Sequence, residues 1–322
     1  MQDKTHRVSL SVVIPVYNEI DNLDLLQHEL LTSLEPLSIP YEIVYVNDGS
    51  SDGSRQKLIE VSSAYRQVVV VDLRRNFGQT AAIAAGLDHS IGDVIVLMDS
   101  DLQNVPADIS SLLAKLDEGY DVVSGWRRDR KDTFLTRRFP SAVANWLISS
   151  VTGVRLHDYG CTLKAYRREV ITEIRLYGEM HRFIPVFAAV AGAKITEIVV
   201  NHRPRLRGKG KYGLSRTFKV ILDLITVKFL LSYRAAPMYL FGGVGIIFMA
   251  LGILALLASV MNKLLYGISL IQTPLPLLAA TNFGLGVQSI LIGLTTELLV
   301  RTYHESQNKP TYVVRQVFRY ES

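Results

Sequence analysis

Residues 94–103 read VIVLMDSDLQ, a short apolar run that ends in two aspartates and a glutamine. Such a run is typical of a strand covered on both faces of its sheet. The strand would end beside Asp99, Asp101 and Gln103. Two carboxylates and an amide offer hard oxygen ligands, which Mg²⁺ and Mn²⁺ prefer. The stretch therefore predicts a metal site at one edge of a sheet. The alternative is that the aspartates only cap a helix that begins near Pro106.

Apolar runs of this kind alternate with helical patterns along the first two thirds of the chain. The predicted strands are residues 10–16, 41–47, 68–73, 94–98, 122–125, 162–166 and 195–201. The predicted helices are residues 21–34, 51–64, 79–89, 106–118, 141–152, 169–174 and 183–191. The alternation predicts an α/β fold with a parallel, doubly wound sheet.

Other polar motifs also follow predicted strands. Tyr17-Asn18-Glu19 comes after the first strand and Asp48-Gly49-Ser50 after the second. Ligands of doubly wound sheets bind beyond the carboxyl ends of the strands. We therefore expect these motifs to join the two aspartates at one site. Simple packing at the end of the strand is the alternative for Pro15 and Tyr17.

The last third of the chain has a different composition. No charged residue occurs at positions 235–262 or 264–296, and a membrane-spanning helix needs ~20 apolar residues. We predict two transmembrane helices, at 238–261 and 277–300. Residues 215–233 alternate basic and apolar side chains at helical spacing, which predicts an amphipathic helix at the membrane surface.

Basic residues predict the orientation of this hairpin. They flank it on both sides, whereas the connection between the spans holds only Lys263. Both ends are therefore expected in the cytoplasm. We expect no cleavable signal peptide, and the single Cys161 suits a reducing compartment. The net charge of +5 favours anionic lipid headgroups, and no nucleic-acid-binding motif is present.

Three motifs carry a resemblance to glycosyltransferase family 2. They are VVIPVYNE at 12–19, NDGS at 47–50 and DSDLQ at 99–103. The two predicted spans narrow the resemblance to polyprenyl-phosphate glycosyltransferases, which are similar to dolichyl-phosphate mannose synthase. Residues 158–161 and 165–168 resemble the branch that contains undecaprenyl-phosphate formamido-arabinose transferase, to which bactoprenol glucosyltransferases are close.

The resemblance implies a GT-A fold and assigns roles to individual residues. The donor nucleotide would be bound by Pro15, Tyr17, Glu19, Asp48 and Asp99. Mg²⁺ or Mn²⁺ would be bound by Asp99, Asp101 and Gln103. The acceptor phosphate would be bound by Arg127, Arg137, Ser141, Arg205 and Lys211. A basic membrane rim without a specific phosphate site is the alternative for the last set. Asn47 departs from the family, where many members have an aspartate.

Asp158 is the candidate catalytic carboxylate, together with the metal-binding Asp101. A phosphate monoester is mostly dianionic at neutral pH, because its second pKa is about 6. Asp158 is therefore expected to orient the acceptor or the sugar more than to remove a proton as a base. A turn carboxylate before Gly160 is the structural alternative. His157 and His181 are weaker candidates.

These observations predict an inverting transfer of a sugar from a nucleotide sugar to a polyprenyl phosphate such as undecaprenyl phosphate, and the family resemblance favours UDP over GDP as the nucleotide. A processive polysaccharide synthase and a non-catalytic membrane scaffold are the alternatives. The former usually has a Gln-x-x-Arg-Trp motif, and neither Trp126 nor Trp146 lies in one. The predicted amphipathic and membrane helices are compatible with a homo-oligomer. The predicted parts are a cytoplasmic GT-A domain at 1–213, a juxtamembrane helix at 214–234, a transmembrane hairpin at 235–302 and a cytoplasmic tail at 303–322.

Overall fold

The fold is taken from a computed structural model of the full chain. The structure describes residues 8–128, 145, 148–150, 152–172, 174, 180–204, 238–306 and 311–320. The chain divides into two units. One comprises Met1–Val227 with Pro310–Ser322, and the other comprises Lys228–Lys309. The predicted amphipathic helix at 215–233 and most of the predicted helix at 141–152 lie outside the described residues.

An eight-stranded sheet with helices forms the first unit. Its strands are β1 (Leu10–Val16), β2 (Tyr41–Asn47), β3 (Val68–Leu73), β4 (Val94–Leu97), β5 (Val122–Trp126), β6 (Lys164–Arg167), β7 (Ile195–Val199) and β8 (Val314–Arg319). Its helices are α1 (Ile20–Leu34), α2 (Ser54–Ala64), α3 (Gln79–His89), α4 (Asp108–Asp117), α5 (Arg168–Ile171) and α6 (Ile184–Val190). Short 3-10 turns lie at Glu35–Leu37 and Met180–Phe183.

The strand order is β7-β5-β6-β4-β1-β2-β3-β8. β1 pairs in parallel with β2 and β4, β2 with β3, and β5 with β7. β6 is antiparallel to both of its neighbours, and β8 is antiparallel to β3. The predicted α/β fold is therefore present, but the sheet is mixed and the expectation of a wholly parallel sheet was wrong.

Helices pack on both faces of the sheet, as the doubly wound prediction requires. Leu23 of α1, Leu58 of α2 and Leu112 of α4 are buried in one cluster with the side chains of β1 that point to that face. Ile83 of α3 and Ile184 of α6 are buried in a second cluster on the other face. Burial on both sides explains why the central strands are apolar throughout.

β8 forms one edge of the sheet from residues that follow the two long apolar helices. Its register against β3 runs from Val69↔Arg319 to Leu73↔Val314, with an irregularity between Asp72 and Leu73. The sequence predicted a cytoplasmic tail at 303–322, and β8 was not predicted within it. The C-terminal segment is therefore part of the first folded unit.

The second unit is a helical hairpin of α7 (Met238–Tyr266) and α8 (Leu275–Ser306). Phe241–Tyr266 and Leu275–Thr296 are long and apolar enough to cross a membrane. The two helices approach closely at glycines. A Cβ on Gly245 would meet the Gly286 carbonyl oxygen at 2.8 Å, so a larger residue would force the backbones apart. Small residues at such close contacts are common in pairs of membrane-spanning helices.

Candidate active site

The carboxyl ends of β1, β2 and β4 meet at one edge of the sheet. The register places Val16 of β1 beside Asn47 of β2, and Val13 beside Leu97 of β4. The Ser100 hydroxyl donates to the Pro15 carbonyl at 3.0 Å and joins the loop after β4 to β1. Three of the predicted motifs are therefore adjacent, as the sequence indicated.

The loop after β4 has an unusual backbone. Leu102, between Asp101 and Gln103, has a φ of 61° although it is not glycine, and its side chain is buried. A left-handed conformation at a bulky residue costs on the order of 1–3 kcal/mol and concentrates at functional sites. The Gln103 N–H donates to Asp101 Oδ1 at 3.2 Å, which stabilises the turn.

Asp99 is held by hydrogen bonds from two other segments. Oδ1 accepts from Gln79 Nε2 at 2.8 Å, and Oδ2 accepts from the Thr162 hydroxyl at 2.6 Å. Burial and, after it, the negative charge of Asp101 raise the pKa of Asp99 to about 6, although the Thr162 hydrogen bond opposes the increase. A carboxylate whose ionisation is opposed in this way suits a bound cation, which would favour its charged form.

The donor set fits a divalent metal that also binds substrate phosphate. Gln103 Nε2 donates to the Arg203 carbonyl at 3.4 Å, and Oε1 is the oxygen that it could offer to a metal. Across the described part of the chain, no three His, Cys, Asp or Glu side chains are grouped to hold a metal. Two carboxylates and an amide need further oxygens, which Mg²⁺ commonly takes from water and substrate phosphates.

Asp48 lies at the end of β2 and is buried. Its Oδ1 accepts from the Phe77 N–H at 2.7 Å, and Oδ2 accepts from the Gly78 N–H at 3.0 Å. Burial raises the pKa of Asp48, and these two backbone bonds oppose the increase. The loop between β3 and α3 therefore fixes the orientation of this carboxylate.

The segment after β1 is tied to the segment after β2. The Glu19 N–H donates to the Ser54 hydroxyl at 3.1 Å, and Glu19 Oε2 accepts from Asn22 Nδ2 at 2.6 Å. The side chain of Tyr17 is 37% exposed beside these contacts. An aromatic ring that is partly exposed at this edge can stack on a flat ligand such as a base.

Arg127 and Asp158 were predicted separately, and the structure brings them together. Arg127 Nε donates to Asp158 Oδ2 at 2.7 Å, and Nη2 donates to Oδ1 at 3.0 Å. The exposed fractions of the two side chains are 12% and 5%. Asp158 is thus neutralised by a bidentate partner, which favours an orienting role over that of a general base.

Lys164 was not among the predicted site residues, and its side chain is buried. Its Nζ donates to the Tyr159 carbonyl at 3.0 Å, and burial lowers its pKa to about 8. Thr162, which bonds Asp99, lies with Tyr159 in the 158–162 turn. An apolar strand pattern interrupted by one lysine was the available signal, because buried lysines require polar partners.

The remaining predicted residues fall into two groups. Arg137, Ser141, Arg205 and Lys211 lie outside the described residues. His157 stacks on Trp126, with ring centroids 4.3 Å apart, and its Nδ1 contacts Glu197. His181 Nδ1 lies 2.7 Å from the Thr80 hydroxyl. Both histidines are therefore held by neighbouring side chains, which fits structural roles.

Comparisons with known proteins agree with this arrangement. The family model for glycosyl transferase family 2 matches residues 11–175. A dodecaprenyl-phosphate galacturonate synthase of Rhizobium johnstonii is 40% identical over 98% of this chain and 95% of its own length. Glucosyl-3-phosphoglycerate synthase of Mycobacterium tuberculosis, solved with Mn²⁺ and UDP-glucose, aligns with a TM-score of 0.51 and 20% identity, covering 69% of this chain and 79% of its own.

The same mycobacterial enzyme solved with Mn²⁺, UDP and phosphoglyceric acid also gives a TM-score of 0.51, at 21% identity, with 69% of this chain and 78% of its own covered. At these identities the structural likeness establishes the fold, and the expected GT-A-type architecture is confirmed. The family match spans about half of the chain, and the curated relative spans nearly all of it. The chain belongs to glycosyl transferase family 2.

Proposed function

We propose that this chain is an inverting glycosyltransferase that moves one sugar from a nucleoside-diphosphate sugar to a polyprenyl phosphate such as undecaprenyl phosphate. One observation carries the proposal. The 40% identity to dodecaprenyl-phosphate galacturonate synthase extends over 98% of this chain. It therefore includes both the glycosyltransferase unit and the two apolar helices.

The donor would bind at the edge where β1, β2 and β4 end. Asp48 is fixed by two backbone N–H groups and suits recognition of the nucleoside, with Pro15, Tyr17 and Glu19 on the neighbouring strand end. A divalent cation bound by Asp99, Asp101 and Gln103 would neutralise the charge that develops on the leaving nucleoside diphosphate. Mg²⁺ and Mn²⁺ both fit this set of oxygen ligands.

The acceptor would bind on the side of Arg127. Asp158 holds the Arg127 guanidinium in one orientation through two hydrogen bonds. The N–H groups that remain on Arg127 can then be directed at a phosphate, with Arg137, Ser141, Arg205 and Lys211 as further predicted ligands. In a single displacement, a phosphate oxygen bonds to the anomeric carbon as the bond to the diphosphate oxygen breaks, which inverts that carbon. The dianionic acceptor needs no base.

The membrane location follows from the acceptor and from the hairpin. A polyprenyl phosphate resides in the bilayer, and α7 and α8 are apolar enough to cross it. We assign the protein to the bacterial inner membrane with the catalytic domain and both termini in the cytoplasm. β8 supports the placement of both termini on one side of the membrane, because the segments before and after the hairpin belong to one sheet, and the basic residues predict that this side is the cytoplasm. A homo-oligomer stays a prediction.

A donor screen tests the proposal. The purified full chain would be incubated with undecaprenyl phosphate, Mg²⁺ or Mn²⁺, and one nucleotide sugar at a time, starting with UDP-galacturonic acid because of the relative's name. We expect a lipid product whose mass increases by one sugar residue. Failure of every UDP- and GDP-sugar to give such a product would contradict the proposal.

A further inference from the structure

The loop of residues 74–78, which follows β3, supports the Asp48 carboxylate. Phe77 and Gly78 donate their N–H groups to the two Asp48 oxygens, at 2.7 Å and 3.0 Å. The loop also packs directly on Gly49, where an added Cβ would lie 2.4 Å from the Arg75 carbonyl carbon. The position of Asp48 therefore depends on the position of this loop.

The C-terminal segment holds the start of the same loop. The Arg74 N–H donates to the Val313 carbonyl at 3.0 Å. The Arg74 carbonyl accepts from Arg315 Nη2, also at 3.0 Å. Both backbone polar groups of Arg74 are therefore bound by residues that come after the two apolar helices in the sequence.

Arg315 also lies close to Asp72, a fully buried residue of β3. Arg315 Nη1 lies 3.6 Å from Asp72 Oδ2, and Arg55 Nε donates to the same oxygen at 2.8 Å. Asp72 Oδ1 accepts from Asn47 Nδ2 at 2.7 Å. Asn47 immediately precedes Asp48, so Arg315 contacts both supports of that carboxylate.

We propose that Arg315 is a positioning residue for the donor nucleotide. From β8 it holds the 74–78 loop and the Asp72–Asn47 pair, and through them it fixes the Asp48 carboxylate. The inference rests on the proposed function in one respect, namely that Asp48 binds the nucleoside. It further implies that the donor site is complete only when the segment following the membrane hairpin has joined the sheet.

Nucleotide affinity tests the proposal in the full-length, purified chain. For Arg315→Gln we expect the dissociation constant for UDP with Mg²⁺ to rise by roughly threefold to tenfold, because a partly exposed charge-assisted contact is lost. The KM for undecaprenyl phosphate should stay within about twofold. Arg315→Lys should recover part of the affinity, since an ammonium can bind the Arg74 carbonyl but has no second nitrogen to place near Asp72 at the same time.

Gln316→Ala is the matched control, because Gln316 is the next residue of β8 and is exposed. It should leave UDP affinity unchanged. Equal UDP affinities in Arg315→Gln, Gln316→Ala and the wild type would overturn the proposal. So would a loss in Arg315→Gln that affects UDP and lipid phosphate equally, since this is the result of general destabilisation.

Amide hydrogen exchange separates this proposal from the assignment of Asp48. In Arg315→Gln, a peptide that contains Phe77 and Gly78 should exchange faster, while peptides from β1 keep their protection. Unchanged exchange at residues 77 and 78 would contradict the role of Arg315 even if activity falls. If the wild type binds no nucleoside diphosphate, the proposed function fails, and the exchange result alone decides whether Arg315 holds the loop.

Discussion

At the scale of single residues, the carboxylates after β4 carry most of the proposed chemistry. Asp99 is hydrogen-bonded to Gln79 and Thr162, which leaves it oriented before any ligand binds. Asp101 lies beyond it on a turn that is strained at Leu102. Preorganised charge of this kind is worth several kcal/mol when it stabilises charge in a transition state.

Asp101→Asn should therefore reduce turnover by at least ~100-fold, because the amide keeps the shape but removes one charged metal ligand. EDTA should abolish turnover, and added Mg²⁺ or Mn²⁺ should restore it. Initial rates of sugar transfer provide the measurement. Asp24→Asn is the control, since Asp24 is exposed and pairs with Lys57 at the surface. Near-normal turnover in Asp101→Asn would refute the metal site.

A second prediction concerns substitutions in the ion pair between Arg127 and Asp158. Asp158→Asn leaves the largely buried guanidinium without its charged partner, which typically costs about 3–5 kcal/mol for a buried pair. We expect lower thermal stability and lower turnover, with the pH dependence of turnover unchanged in shape. Arg127→Lys should also reduce turnover, because the bidentate contact is lost.

A pH–rate profile of Asp158→Asn distinguishes the two roles of this carboxylate. Loss of one limb of the wild-type profile would show that Asp158 is a general base.

The double variant Arg127→Met/Asp158→Leu should be less destabilised than the sum of the single variants, because it removes both charges together.

At the scale of elements, the loops after β2 and β3 form one structure around Gly49. Gly49 has a φ of 66°, and a Cβ there would meet the backbone of Arg75 and Asn76 at 2.4 and 2.5 Å. Gly119 also has a positive φ, of 95°, but an added Cβ would meet nothing within 4 Å. A comparison of alanine substitutions at the two glycines therefore separates the cost of backbone strain from the cost of disturbing the packing of the loop.

Gly119→Ala should cost only the left-handed backbone strain, roughly 1–2 kcal/mol. Gly49→Ala should cost more and should also weaken nucleotide binding, because the 74–78 loop that orients Asp48 must move. Thermal unfolding and UDP titration of both variants check this prediction. Equal UDP affinity in the two variants would show that the loop does not support the donor site.

Several elements could be predicted from sequence because their pattern is local. The apolar runs of β1, β2 and β3 set their bounds without reference to the rest of the chain. β8 was missed because VRQVFR at 314–319 is half polar and follows a membrane hairpin. Its pairing depends on the open edge of β3, which is a tertiary feature. The antiparallel direction of β6 was also missed, because the direction of a strand within a sheet is a tertiary feature.

The candidate site shows the same division. Asp48, Asp99 and Asp101 could be predicted because each follows an apolar run, and parallel strands bring such ends to one edge. The pairing of Arg127 with Asp158 could not, since the two residues are far apart in sequence and meet only when β5 and the 158–162 turn are adjacent. The buried position of Lys164 within β6 could not be predicted either, because it depends on how the strand packs in the folded protein.

At the scale of the whole molecule, β8 bears on membrane topology. The chain enters the hairpin from the first unit and rejoins that unit at β8. An even number of crossings therefore connects two parts of one sheet. The basic residues add which side this is, because their distribution in the sequence predicts that both ends of the hairpin lie in the cytoplasm.

Cysteine labelling tests this topology. Ser269→Cys, in the turn between α7 and α8, should react with an impermeant maleimide in intact spheroplasts. Ser63→Cys and Thr311→Cys should react only after lysis. The native Cys161 is fully buried, and burial raises the pKa of its thiol to about 11, so the background should be low. Reaction of Thr311→Cys together with Ser269→Cys would contradict a two-span hairpin.

The most direct test of the account is analysis of the products formed from a nucleotide sugar and polyprenyl phosphate in proteoliposomes. We predict one sugar per lipid, one nucleoside diphosphate released per sugar, and a product anomer opposite to that of the donor. Formation should stop with EDTA and in Asp101→Asn. A product carrying several sugars, retention of the anomeric configuration, or undiminished transfer in EDTA would contradict the account.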